Sequence, residues 1–76
     1  MTIRDQALAE MVRTAVMQDK RIGGQAIALR VVDGEVYLKG IVDTDEQREL
    51  AVLVARGIPG VRQVHIDELR VRDGSE

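Results

Sequence analysis

The apolar positions change period along the chain, and each period predicts an element. Leu8, Met11, Val12, Ala15 and Val16 recur at three- and four-residue spacing, which lays one apolar stripe along a helix. Thr2 stands where that helix needs a cap, with Asp5 at the third helical position in a partial capping box. Gly23-Gly24 ends any continuation. From Gln25 the period becomes two. Ile27, Leu29 and Val31 alternate with Ala28, Arg30 and Val32; beyond Asp33-Gly34, Val36 and Leu38 alternate with Glu35, Tyr37 and Lys39. Two alternating runs joined by Asp-Gly predict a hairpin with a two-residue turn. That turn sets Val31 opposite Val36, Leu29 opposite Leu38 and Ile27 opposite Gly40, so every large aliphatic falls on one face.

A second helix is predicted after Thr44-Asp45-Glu46-Gln47, a capping box whose acidic residues suit the positive end of the helix dipole. Its stripe is Leu50, Ala51, Leu53, Val54 and Ile58; Gly57 caps it and Pro59-Gly60 forbids more helix. The last strand runs from about Val61 to Arg72. Val64 and Ile66 share one parity and Leu69 and Val71 the other, which a bulge near Asp67-Glu68 reconciles. The order is α-β-β-α-β, an α+β fold with two helices on one face of a three-stranded mixed sheet that contains the hairpin. Residues 2–72 form a single domain and 73–76 a polar tail. The other face of the sheet, with Ala28, Arg30, Val32, Tyr37, Lys39 and Ile41, stays open to solvent or a partner.

Composition narrows the function. The chain has 76 residues, 45% of them hydrophobic, and Tyr37 is its one aromatic. Base stacking on aromatic platforms is therefore not expected, and a net charge of -2 argues against a footprint on duplex DNA. Without cysteine there are no disulfides, thiolate metal sites or thiol nucleophiles. The charged start MTIRDQALAEM does not read as a signal peptide, and no apolar run approaches the roughly 18 residues a membrane span requires. A chain of this kind standing alone is expected in the cytoplasm; cut from a longer protein, it is compatible with the periplasm.

The segment DGEVYLKGIV at 33–42, the capped helix after it and GIPGVRQV at 57–64 resemble the BON domain, named for bacterial osmotic-shock and nodulation proteins. Gly34, Val36, Leu38, Gly40 and Val42 fill that family's first block, and Gly60, Val61 and Val64 its second. The resemblance extends from roughly residue 5 to 72 and departs after Val64, where the next inward aliphatic, Leu69, comes one residue late. These are structural residues: Gly34 supplies a left-handed turn, and Gly40 is expected to leave room opposite Ile27 for helix-on-sheet packing. The resemblance implies a binding or attachment module, of a kind credited with contacting phospholipid surfaces, without catalysis or a cofactor; weak attachment to an anionic phospholipid surface is the leading expectation, a protein-partner or self-association adaptor the alternative, and a small-ligand or ion sensor the third.

Two surfaces stand out as candidates. Arg13, Met17 and Lys20, with Arg21 just beyond, are expected on the outer face of the first helix, where they would meet anionic headgroups weakly; the plainer reading is a solvated helix face. On the open sheet face, Arg30 and Tyr37 are expected as a cation–π pair flanked by Val32, Lys39 and Ile41, serving a protein partner or weak self-association; the plainer reading is cross-strand stabilisation. Asp43, Asp45, Glu46 and Glu49 could suggest an ion sensor, but they lack the calcium-loop glycine spacing and suit a helix N-terminus, so no metal is expected. Gly57-Ile58-Pro59-Gly60 is formally GxxG, yet it joins a helix to a strand and reads as a helix stop rather than a nucleic-acid loop. His65 and Ser75, the sole histidine and serine, do not make a nucleophile–base pair; His65 reads as an ordinary strand residue.

Overall fold

The computed structural model describes residues 2–72; the polar tail at 73–76, with Ser75, lies outside the described residues. The elements are α1 (Ile3–Gln18), β1 (Ala26–Val32), β2 (Glu35–Val42), α2 (Asp45–Arg56) and β3 (Gln63–Val71). The sheet has the order β1-β2-β3, with β1 antiparallel and β3 parallel to β2. Both helices cover one sheet face. Leu8, Val12 and Val16 of α1 and Ala51 and Ala55 of α2 meet Val31, Val36, Leu38, Val42 and Leu69 in one aliphatic core.

The hairpin has the register its Asp-Gly turn predicts, with Val31↔Val36, Leu29↔Leu38 and Ile27↔Gly40. Asp33 and Gly34 take φ of 53° and 80°, the pair of positive values a type I′ turn requires. The bulge in β3 is also present: Tyr37 pairs with His65 but Lys39 with Glu68, so Ile66 and Asp67 together oppose Leu38. That extra residue returns Leu69 to the core. Arg48 of α2 secures it, donating from Nη2 to Ile66 O at 3.2 Å and from Nε to Leu69 O at 2.7 Å.

Several expectations are corrected. Helix α1 ends at Gln18, before Gly23-Gly24, because Asp19 leaves helical geometry and its carboxylate accepts the Arg21 N–H at 2.8 Å. The turn that follows inserts Ile22, fully buried, which no periodicity marked. Met11 is 46% exposed and Leu53 63%, at the edges of their stripes, and Ala55 takes the inward position of α2. Strand β3 begins at Gln63, because Val61 and Arg62 belong to a loop whose Arg62 N–H donates to Gly34 O at 2.8 Å. Gly40 makes room for a strand, not for a helix. With φ at 137°, an added Cβ would overlap the Ala26 carbonyl and sit 3.3 Å from Ile27 Cα on β1.

Thr2 caps α1, accepting the Asp5 N–H at 3.1 Å, and the Asp5 carboxylate reaches well beyond that cap. Its carboxylate is 2% exposed and reaches the hairpin turn, accepting from Asp33 N at 3.0 Å and Gly34 N at 3.2 Å. The bond from Asp33 leads in holding the Asp5 carboxyl below its ordinary 3.8; burial pulls the other way and the Gly34 bond adds to the lowering.

A depressed folded pKa gives stability that is fully present above the unfolded value and lost as pH falls through the folded one. Asp19, held to about 2 first by the Arg21 side chain, adds a loss in the same direction. Asp5→Asn is therefore expected to lower Tm at neutral pH by roughly 5–10 °C. It should also flatten the fall of Tm between about pH 6 and pH 2.5 relative to the unsubstituted chain; calorimetry across pH checks both. Urea unfolding should find Gly40→Ala destabilising by more than about 2 kcal/mol. At Gly24 an added Cβ meets nothing within 4 Å, and Gly24→Ala should be neutral or stabilising by a few tenths of a kcal/mol up to about 1 kcal/mol.

Candidate binding surfaces

Strand parity and the β3 bulge determine what the open face presents. Residues of even number on β1 and odd number on β2 point away from the helices, and up to the bulge β3 contributes Gln63 and His65. The central row crosses all three strands as Arg30, Tyr37 and His65. The Arg30 guanidinium carbon lies 5.2 Å from the Tyr37 ring centroid. The Tyr37 and His65 rings stack with centroids 4.5 Å apart and planes 14° from parallel. Glu35 Oε1 lies 2.7 Å from His65 Nε2 and holds the imidazole in plane. The tyrosine is thus gripped from both flanking strands.

Past the bulge the charges alternate. Lys39 pairs in register with Glu68 and Ile41 with Arg70, while Asp67 stands beside the stack. Shallow depressions of about 280 and 240 Å³ flank Tyr37, one bounded by Ala28, Lys39 and Glu68, the other by His65 and Asp67. Both fall below the roughly 300–1,000 Å³ of small-molecule pockets. An open cleft of about 610 Å³ at the foot of α1, lined by Arg4, Asp5, Gly34 and Arg62 among others, has much of its polar lining engaged in the fold. Asp5 holds the turn there, and Arg62 Nη1 lies 3.4 Å from Asp33 O.

The first helix does not carry the cationic face its spacing suggested. Arg13 is on α1, but Glu10 Oε2 holds its Nη1 at 2.7 Å. Lys20 and Arg21 lie past the helix end, and the Arg21 guanidinium takes both Asp19 oxygens, at 3.0 and 2.7 Å. Lys20 is the one cation of that group without an ion-pair partner among the described residues, and Met17 beside it is 65% exposed.

The acidic residues after β2 do not converge either. Asp43 accepts from Arg72 Nε at 2.9 Å, Asp45 and Glu46 occupy the first turn of α2, and no cluster of three metal-type ligands forms among the described residues. The 57–60 segment joins α2 to β3, with Gly57 at the helix cap.

Sequence reasoning missed His65, Glu35 and Arg48. The first two had a signal: inward Val64 and Ile66 force His65 outward, and a parallel β3 places it beside Tyr37. Arg48 had none, because its role depends on where the bulge leaves two carbonyls.

The model of the BON domain matches residues 4–73. Osmotically-inducible protein Y of Escherichia coli (strain K12) is 36% identical over 72 residues, covering 95% of this chain and 35% of that protein. An uncharacterized protein of Deinococcus radiodurans is 33% identical over 69 residues, covering 91% of this chain and 27% of its own length. The chain thus spans about a third of the length of these relatives or less. Among solved structures, the C-terminal domain of CdsD, the structural protein of the type III secretion system of Chlamydia trachomatis, superposes with a TM-score of 0.71 at 14% identity. The superposition covers 88% of this chain and 33% of that one, a likeness of fold. The glycine and valine positions of the hairpin and of the loop before β3, together with this match along nearly the whole chain, show that it belongs to the BON domain family.

Proposed function

We propose that this BON domain is a non-catalytic attachment module that docks a protein partner on its open sheet face, centred on Tyr37. The observation that carries the reading is the Arg30–Tyr37–His65 row, with Glu35 fixing its outer ring. Tyrosine anchors protein interfaces because it buries much area at little rotamer cost, and arginine because its planar guanidinium stacks and pairs; here the Tyr37 ring is already held between its two neighbours. The face also balances Arg30, Lys39 and Arg70 against Glu35, Asp67 and Glu68. Mixed signs suit a patterned protein surface better than a uniformly anionic membrane. The relationship to an osmotically inducible protein supports a setting in bacterial stress response.

A second reading, attachment to anionic phospholipid, draws on exposed Lys20 and Met17 at the end of α1. It requires the Arg13–Glu10 and Arg21–Asp19 pairs to open, which is inexpensive for exposed ion pairs. No helix among the described residues is long and apolar enough to cross a membrane, so contact of this kind would be peripheral.

The two readings separate experimentally. A photo-crosslinking amino acid at Lys39, in cells that make the protein, should yield protein adducts that Tyr37→Ala abolishes, while the same group at exposed Leu53 should not. Absence of adducts at Lys39, or equal adducts at Leu53, overturns the open-face reading. In an amide-shift titration with phosphatidylglycerol bicelles, salt-sensitive shifts limited to residues 17–21, lost in a Lys20→Glu, Arg21→Glu double variant, would instead establish the lipid reading.

A further inference from the structure

The two edges of the sheet are unequally defended. Strand β3 is bulged at Ile66-Asp67, carries Asp67, Glu68 and Arg70, and has two of its carbonyls occupied by Arg48. Bulges and charges of this kind prevent a further strand from adding. Strand β1 has neither bulge nor proline, and Arg30 is its sole charge along Ala26–Val32.

The direction of its free groups follows from the turn. In a two-residue hairpin the bond from Glu35 N–H to Val32 C=O makes Val32↔Glu35 a hydrogen-bonded pair, and such pairs alternate along the ladder. Arg30 and Ala28 therefore face β2, and Ile27, Leu29 and Val31 turn their N–H and C=O groups outward. Consistent with this, the Ile27 N–H is taken locally by Gln25 O at 3.0 Å.

The same edge is under-covered on the core side. Leu29 points inward yet remains half-buried, as does Ile27, whereas Val31 and Leu38 are fully enclosed. Leu29 lies in an open groove of about 430 Å³ between β1 and Ala9, Glu10 and Arg13 of α1.

We infer that this edge pairs with a second copy of the chain, β1 against β1 antiparallel about a two-fold axis at Leu29, joining two sheets into one. Centred there, Leu29 faces its own counterpart and the two exchange both bonds, while Ile27 meets Val31 of the other copy on the core side. On the open side Arg30 falls opposite Ala28 and Val32 opposite Ala26, so no like charges are apposed. Flanking the groove, the exposed Glu10 and Arg13 form a set of opposite charges that a two-fold can match with itself. A seven-residue strand is only about 23 Å long, so the interface is small and the dimer weak. The inference is independent of the partner taken by the open face and enlarges that face rather than covering it.

Sedimentation equilibrium of the full chain from about 10 µM to 1 mM should show the mass rising above 8.4 kDa towards a dimer. A constant 8.4 kDa throughout overturns the inference. Ala28 is exposed, so charges at this position should leave the fold intact, as Tm would verify. Ala28→Lys, apposed to Arg30 of the other copy, should weaken association at least about 3-fold, and Ala28→Glu should tighten it. Equal responses to the two charges overturn the pairing. Because Ala28 also borders the open face, amide exchange supplies the second readout. The Leu29 and Val31 amides should slow as concentration rises; association that leaves them unprotected would place the contact elsewhere and refute the edge pairing.

Discussion

The Asp5 carboxylate is the constraint on which the arrangement of the molecule depends. It joins the first turn of α1 to a hairpin turn 28 and 29 residues away, through the Asp33 and Gly34 N–H groups. A buried charge is tolerated only when its lone pairs are met, and these backbone donors, presented by positive-φ residues, meet them. Once that end of α1 is fixed, Leu8, Val12 and Val16 lie along the inner face of the sheet, and Leu8 reaches the loop before β3 at Gly60. The Gly34 carbonyl completes the junction by accepting from Arg62. At the opposite end the Gln47 side chain does comparable work, accepting from Asp43 and Thr44 and donating to Arg21 O. Two polar junctions thus orient a core made entirely of aliphatic residues.

Local signals were legible in the sequence. Asp33-Gly34 specified the hairpin register residue by residue because a two-residue turn admits one pairing with all large aliphatics on the same side. The break of parity between Ile66 and Leu69 located the bulge, and Thr44 to Gln47 located the start of α2. What could not be read were interactions whose two halves lie far apart in the chain. Asp5 is legible only as part of the α1 cap, because its distant partners are backbone groups, which every sequence possesses. Ile22 sits in a turn, where periodicity is silent. The placement of Lys20 and Arg21 was misjudged for another reason: spacing assumes the helix continues, and the Asp19 side chain stops it before Lys20. The Arg30–Tyr37 contact was visible as a cross-strand pair; its extension to His65 and Glu35 required the third strand to be placed.

The family motif and the candidate surfaces use different residues, and the division has a physical basis. Gly34, Gly40 and Gly60, with Val36, Leu38, Val61 and Val64, manage turns, strand approach and core packing, so they specify the fold without specifying a partner. The outward row contributes little to the core and is free to differ from one such domain to another. In this chain that freedom has been used to build an ordered aromatic and charged row over the central strand. The fold is therefore a platform, and the docking face proposed for it is made of side chains that packing does not dictate.

Tyr37 has one more consequence. As the chain's single aromatic, it is the sole source of near-ultraviolet absorption and intrinsic emission, and it lies on the outer face against His65 rather than in the core. A tyrosine signal from this protein, in near-ultraviolet absorption or emission, therefore reports on its surface. In that signal, melting the aliphatic interior would register only as the ring loses its neighbours, whereas an event at the sheet face would be seen directly with the fold intact.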